Sequence, residues 1–110
     1  MDCIFCKIVS GEIPSKVVYE DEHVLAFNDI DPQAPIHIVV IPKKHFANIL
    51  ELNDSSILNA IFDSIKNIAD KQNMEKGFRI VCNTCSEGGQ TVEHLHFHIL
   101  SGRNLQWPPG

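Results

Sequence analysis

The sequence predicts an α+β fold: an antiparallel meander sheet of about five strands, one long helix and a short N-terminal helix. Three observations point to it. Short runs rich in Val, Ile and Phe (VVYE, HVLAFN, HIVVI, FRIVC) recur between turn residues, as strands do. Ile57, Leu58, Ile61, Phe62, Ile65, Ile68 and Ala69 repeat with helical period. Residues 94–100, HLHFHIL, alternate histidine with Leu95, Phe97 and Ile99. In a strand that pattern puts three imidazoles on one face and the apolar side chains on the other.

Taken in order, Cys3 to Val9 is apolar and stops at Gly11, which suits two turns of helix. Val17–Glu20 and His23–Asn28 pair around a turn at Asp21-Glu22, and the prolines of DIDPQAP, Asp29 to Pro35, make a loop. The strand His37–Ile41 ends at Pro42. Asp54 or Ser55 can cap the long helix by accepting a bond from its first free N–H groups. Phe78–Cys82 is a further strand, and the glycine-bearing loop SEGGQT leads into HLHFHIL.

With 110 residues the chain is expected to form one domain, 1–110, burying roughly two thirds of its unfolded surface. Hydrophobic residues make up 44% and charged residues 21%, ordinary proportions for a globular protein. No apolar run reaches the ~20 residues that cross a bilayer, so no membrane partner is expected. MDCIFCKIVSGEIP lacks a basic segment followed by a long apolar one, so no signal peptide is read there. A cytoplasmic location with the four cysteines reduced follows as the expectation. A net charge of −5 argues against a nucleic acid polymer as partner, yet leaves room for a single nucleotide held by a few N–H groups and imidazoles.

At ~3.3 Å per residue, His94 and His98 lie about 13 Å apart on a strand, too far for all three histidines to share one tetrahedral metal. Divided labour fits better: one end histidine serves a metal and the others do chemistry. Gly88-Gly89-Gln90-Thr91, just upstream, can turn backbone N–H groups towards an anion. Imidazoles beside an anion loop suit attack on phosphorus, one neutral histidine as nucleophile and a second stabilising developing charge. Cys3 and Cys6 form a C-x-x-C that could ligate zinc, form a redox pair or pack inertly in the core. Cys82 and Cys85 form a second such pair, but too distant for the usual ribbon spacing. A Cys₂His₂ zinc set is more economical, with His45 and His94 as candidates.

HLHFHIL resembles the His-φ-His-φ-His-φ-φ signature of the histidine triad (HIT) family of nucleotide hydrolases and transferases. CIFCKIVSGEIPSKVVYED is similar to the family's bacterial N-terminus, and AFNDIDPQAPIHIVVIPKKH to its nucleotide-pocket strands. GGQTVEHLHFHIL looks like the catalytic strand, and GRNLQWPPG like the tail of the Hint branch. The resemblance implies a HIT-like fold whose sheet continues across a homodimer. It implies hydrolysis of purine nucleoside phosphoramidates to AMP and amine through a nucleotidyl-histidine. His96 matches the nucleophile, and His98 the residue at the α-phosphate. Thr91 falls near the phosphate and leaving group, and His37 matches a supporting histidine. Asp29 matches the carboxylate on the ribose hydroxyls. Asn83, Gly89, Gln90 and Val92 fall in the phosphate pocket, and Ile8, Phe27 and Ile30 sandwich the purine. Trp107, in the tail, reaches towards the partner's site. Cys3, Cys6, His45 and His94 match the zinc ligands of metal-bearing bacterial members, where zinc is structural. Cys85 and Glu93 depart from the family pattern and bear on leaving-group preference. Other readings stay open: a dinucleoside polyphosphate hydrolase, a nucleotide-binding interaction module with incidental turnover, and a zinc-structured module.

Overall fold

A computed structural model describes residues 2–110. Its elements run α1 (Ile4–Val9), β1 (Val17–Glu20), β2 (Val24–Asn28), β3 (Ile36–Pro42), a 3₁₀ turn (Ile49–Glu51), α2 (Ser55–Lys71), β4 (Arg79–Val81) and β5 (Phe97–Ser101). The strands form one antiparallel sheet in the order β1-β2-β3-β5-β4. The expected antiparallel sheet of five strands with two helices is therefore present. Its first three strands meander, and the last seats itself between β3 and β4.

Both faces of the sheet are covered, which explains why β2 and β3 read as nearly continuous apolar runs. Val24 and Ala26, Ile38 and Val40, and Phe97 and Ile99 point to one side, where they meet Ile57, Ile61, Ile65 and Ile68 of α2. Burying each isoleucine is worth ~1.5–3 kcal/mol. Asp54 starts α2 by accepting from the Ser56 N–H at 3.0 Å, as expected of a cap. Phe62 lies at the edge of the apolar stripe, half exposed, with its ring edge-on to Phe97.

On the opposite face Leu25, Phe27, Val39 and Ile41 form a floor, covered by Phe5, Ile8 and Val9 of α1. Cys3 caps α1 through its sulfur, 3.3 Å from the Cys6 nitrogen, and Gly11 ends it with φ +82°. His37 and His98 project to this same face.

Strand boundaries differ from expectation at one informative place. β5 begins at Phe97, so His94 and His96 precede it instead of lying within the ladder. Extending the β3–β5 register from Val40↔Phe97 would set Leu95 opposite Pro42, which has no N–H to donate. The Leu95 N–H instead bonds the Phe46 carbonyl at 2.7 Å. Alternation survives nonetheless: Leu95, Phe97 and Ile99 enter the α2 core, and the three imidazoles share the α1 side. Among the described residues no helix is long and apolar enough to cross a membrane.

Candidate functional site

A cavity of about 300 Å³ opens between α1 and the sheet floor. One end is apolar, built from Ile4, Phe5 and Ile8 of α1, Ile13, Phe27 and Val39, with Ile30 wholly exposed at the rim. The other end is polar, where Asp29, Thr91, His96 and His98 converge with Val92 beside them. Such a shape takes an amphipathic ligand, with a flat apolar group at one end and an anion or hydroxyls at the other.

Hydrogen bonds assign the protons of the histidines. His96 is buried, and its Nδ1 lies 2.7 Å from the His94 carbonyl. A carbonyl only accepts, so Nδ1 carries the proton and Nε2 keeps its lone pair; among the described residues no protein group bonds Nε2. Next, the Gln33 N–H donates to His37 Nδ1 at 3.0 Å, which places the His37 proton on Nε2. His37 Nε2–H donates to His98 Nδ1 at 2.9 Å, leaving His98 with its proton on Nε2. One imidazole thus offers a bare nitrogen and its neighbour, with ring centres 5.0 Å apart, offers an N–H. A nucleophile beside an oxyanion donor needs that pair of opposite tautomers.

Asp29 sits next to the relay, its Oδ2 3.4 Å from His37 Nε2 and 4.0 Å from His98 Nδ1. Its Oδ1 accepts the Asp31 N–H at 2.8 Å, which fixes the start of the loop. Burial, followed by the neighbouring His96 and His37, holds His98 below the ordinary histidine value of about 6.5, and Asp29 opposes this in part. The consequence for stability has a definite sign. A lowered folded value means that the unfolded chain takes up the proton first, so stability is full above about 6.5 and is lost as pH falls through the lowered value. An NMR titration of the His98 ring is expected to show a midpoint below 6.5; a midpoint at or above 7 would contradict the arrangement.

The loop before His94 is shaped by its own backbone. A Cβ on Gly88 would fall 2.3 Å from the Thr84 carbonyl oxygen and 2.9 Å from its nitrogen, so only glycine fits. Gly89 has φ +83°. Gln90 closes the loop: its Oε1 accepts the Cys85 N–H at 2.9 Å, and its Nε2 donates to the carbonyls of Ala47 (2.6 Å) and Val92 (2.9 Å). Gly88→Ala is expected to spread the loop at a cost of about 1–3 kcal/mol. Faster hydrogen exchange at the Cys85 N–H is the readout, and unchanged exchange would show that the loop absorbs the methyl.

A second set lies at the N-terminal end of α1. His94, with no exposed surface, has Nε2 2.9 Å from the Pro42 carbonyl, which places its proton there and turns a bare Nδ1 inward. That Nδ1 is 3.3 Å from Cys3 Sγ, 3.6 Å from Cys6 Sγ and 3.1 Å from His45 Nδ1. His45 Nδ1 is 3.4 Å from Cys6 Sγ, and all four donor atoms lie within 4.8 Å of one another. A tetrahedral zinc with bonds of about 2.0 Å to nitrogen and 2.3 Å to sulfur separates its ligands by roughly 3.3–3.8 Å. The set is therefore compatible with zinc. Without a cation, burial and the adjacent Cys3 push the Cys6 thiol up.

The structure brings Ile8, Phe27, Asp29, Ile30, Thr91, Val92, His96 and His98 together around the cavity, with His37 directly behind His98. Gly89 and Gln90 are not in its lining, and the Gln90 amide is occupied with the loop. Asn83 and Trp107 line a separate depression of about 630 Å³ along β4 and the tail, with Trp107 82% exposed. The sequence reading overlooked Phe5. Its ring meets Phe27, His94 and His96 edge-on at 5.5, 5.9 and 5.2 Å, so it joins the metal set, the floor and the cavity. Its place between Cys3 and Cys6 was the available signal.

Residues 10–105 match the family profile described as the HIT domain. An uncharacterized HIT-like protein of Synechococcus elongatus is 50% identical, over 99% of this chain and 97% of that protein. A 14 kDa zinc-binding protein of Brassica juncea is 45% identical over 99% of this chain and 100% of that protein. Among solved structures, a HIT family hydrolase from Legionella pneumophila superposes with a TM-score of 0.96 at 51% identity, covering 99% of this chain and 100% of that one.

Proposed function

The chain belongs to the HIT family, and from that premise we propose that it is a purine nucleoside phosphoramidase, cleaving an AMP–amine adduct to AMP and the amine. The observation that carries this reading is the bare Nε2 of His96 beside the Nε2–H of His98, in a cavity with an apolar end and a polar end. In the proposed step His96 Nε2 attacks the α-phosphorus; an N–P bond forms to the ring, the P–N bond of the substrate breaks, and the departing nitrogen takes up a proton from solvent, which the attack of water returns in the second half. The ring becomes a nucleotidyl-imidazolium. Its Nδ1–H already points at the His94 carbonyl, so the developing positive charge meets a preset dipole. His98 Nε2–H donates to the non-bridging phosphoryl oxygens. Water then attacks phosphorus, releasing AMP and restoring His96.

Phe27, Ile8 and Ile30 are suited to hold the purine, and Asp29 to accept two bonds from the ribose diol. Ile4, Thr91 and Val92 line both this cavity and a neighbouring one of about 470 Å³, and the leaving amine is proposed to depart on the Thr91 side. Zinc fits the Cys3, Cys6, His45 and His94 set, where it would supply a fixed cross-link between α1 and the strand entrance. A homodimer is supported by the open edge of β4, where Phe78, Ile80 and Trp107 leave apolar surface exposed. The proposed location is the cytoplasm, where the cysteines stay reduced.

Parallel measurement of kcat/KM on an adenosine 5′-phosphoramidate and on a diadenosine polyphosphate tests the reading. At least tenfold preference for the phosphoramidate is expected. A reversed preference would make the protein a dinucleoside polyphosphate hydrolase, and binding without turnover of either would make it a nucleotide-binding module.

A further inference from the structure

A chain of hydrogen bonds that begins on the exposed residues Arg103 and Gln33 and ends on buried His37 feeds the His37–His98 pair and takes no part in the steps above. It starts at Arg103, in the turn after β5. The Arg103 Nε and Nη2 both donate to the Gln33 carbonyl, at 3.0 and 2.9 Å, while Nη1 donates to the Asn104 carbonyl at 3.3 Å. Gln33 lies in the loop between β2 and β3, and its side-chain Nε2 is turned back to the Asp31 carbonyl at 3.0 Å. Its backbone N–H is the group that bonds His37 Nδ1. We propose that Arg103 is a positioning residue for the reaction: by gripping Gln33 it holds the N–H that sets the tautomer of His37, and through His37 that of His98.

A neutral imidazole has a single N–H, so whichever nitrogen accepts determines which one donates. With the Gln33 N–H on Nδ1, His37 must donate from Nε2, where His98 Nδ1 at 2.9 Å is the nearer acceptor and Asp29 Oδ2 lies farther off at 3.4 Å. His98 must then present Nε2–H to the cavity. If Gln33 swings away, His37 can carry its proton on Nδ1 instead. His98 Nδ1 then loses its donor, and the ring is free to take the opposite tautomer, turning a lone pair towards a phosphoryl oxygen. His37 is only 6% exposed, so water is a poor substitute for Gln33.

The loop is tied at its base by the bond from the Asp29 N–H to the His37 carbonyl, 2.9 Å, and by buried Ala34. Its internal bonds are short-range, Asp31 to Asp29 and Gln33 to Asp31. From outside it is braced by the packing of Pro35 against Gly102, where an added Cβ would come within 2.8 Å of the Pro35 Cβ, and by the guanidinium fork. A fork of two parallel N–H donors fixes the orientation of a carbonyl, and a lysine ammonium cannot reproduce that.

This inference rests on the proposed roles of His96 and His98 for its catalytic half, so its test has two arms. The first reads ¹⁵N–¹H NMR of the imidazoles in the free protein. Wild type is expected to show Nε2–H alone for His37 and His98, and Arg103→Ala a mixture. The second reads phosphoramidate turnover. Arg103→Ala is expected to lose about tenfold to a hundredfold in kcat, less than the ~10²–10³ for removing an oxyanion donor outright. KM should move less than about threefold, with part of the loss restored by added guanidinium. If Arg103→Ala does not fold, Arg103→Lys serves both arms, since it keeps the charge and loses the fork. Tautomers that stay unmixed in the variant overturn the proposal, whatever happens to the rate. Mixed tautomers with an unchanged kcat overturn its catalytic half. A wild type that turns over no phosphoramidate overturns the proposed function, and the NMR arm then decides the role of Arg103 alone.

Discussion

Replacing His96 with alanine is expected to lower phosphoramidate turnover by about 10⁴-fold or more, the scale seen when a covalent nucleophile is removed. Nucleotide binding should survive in large part, because the apolar end of the cavity rests on Ile8, Phe27 and Val39, and Phe5 is the residue of that end whose ring packs on His96. Mass spectrometry after brief mixing with an adenosine phosphoramidate should find an AMP-sized adduct on wild type and none on His96→Ala. The hydrogen-bond pattern makes this sharper than a generic active-site knockout. His98 has its Nδ1 engaged with His37 and presents only an N–H to the cavity, so it cannot replace the missing lone pair. An adduct on the variant, or retention of more than about a hundredth of the turnover, would move the nucleophile elsewhere.

Loss of the metal set is the second large effect. Cys3→Ser is expected to abolish stoichiometric zinc and to cost about 3 kcal/mol or more, or a fall in Tm on the order of 10–20 °C for a chain of this size. The physical reason is the placement of the ligands. Cys3 caps α1 and Cys6 lies within it, a helix of six residues that cannot stand alone, while His45 and His94 belong to the sheet side. A cation there closes the helix over the floor. The effect should reach the chemistry as well, because His94 turns its ring towards the metal set and its carbonyl towards His96, and Phe5 packs against both rings. Metal analysis with thermal melts, with and without a chelator, checks this. A Cys3→Ser protein that keeps one zinc and the wild-type Tm would show that the set is not a metal site.

Those two sites were legible in the sequence for different reasons. Alternating histidines declare their shared face because side-chain direction in extended chain has period two, and this held even though His94 and His96 lie outside the ladder. The zinc set was legible because thiols and imidazoles have few other uses in combination. α2 was legible because its isoleucine stripe matches 3.6 residues per turn. What escaped was everything decided by particular backbone groups, near or far in sequence. The start of β5 depends on Pro42 having no N–H, and the tautomers of His94 and His96 depend on the Pro42 and His94 carbonyls. Gln90 looked like an anion-loop residue, yet its amide bonds backbone at Cys85, Ala47 and Val92. Arg103 gave no sign at all, because it acts on a carbonyl 70 residues upstream.

The seat of β5 has a consequence for how the molecule comes into being. It is the last of the five strands to leave the ribosome, yet it belongs in the interior of the sheet, between β3 and β4. A nascent chain that has produced everything up to β4 has α2 and the β1-β2-β3 meander, but β3 still shows a bare edge and the core lacks Leu95, Phe97 and Ile99. Such an intermediate is sticky, and it calls for shelter by a chaperone or for rapid completion. None of the three in-phase histidines has been synthesised at that stage, so reactivity and closure of the sheet arrive together. A premature stop before Phe97 would leave an aggregation-prone fragment in place of a weakened enzyme.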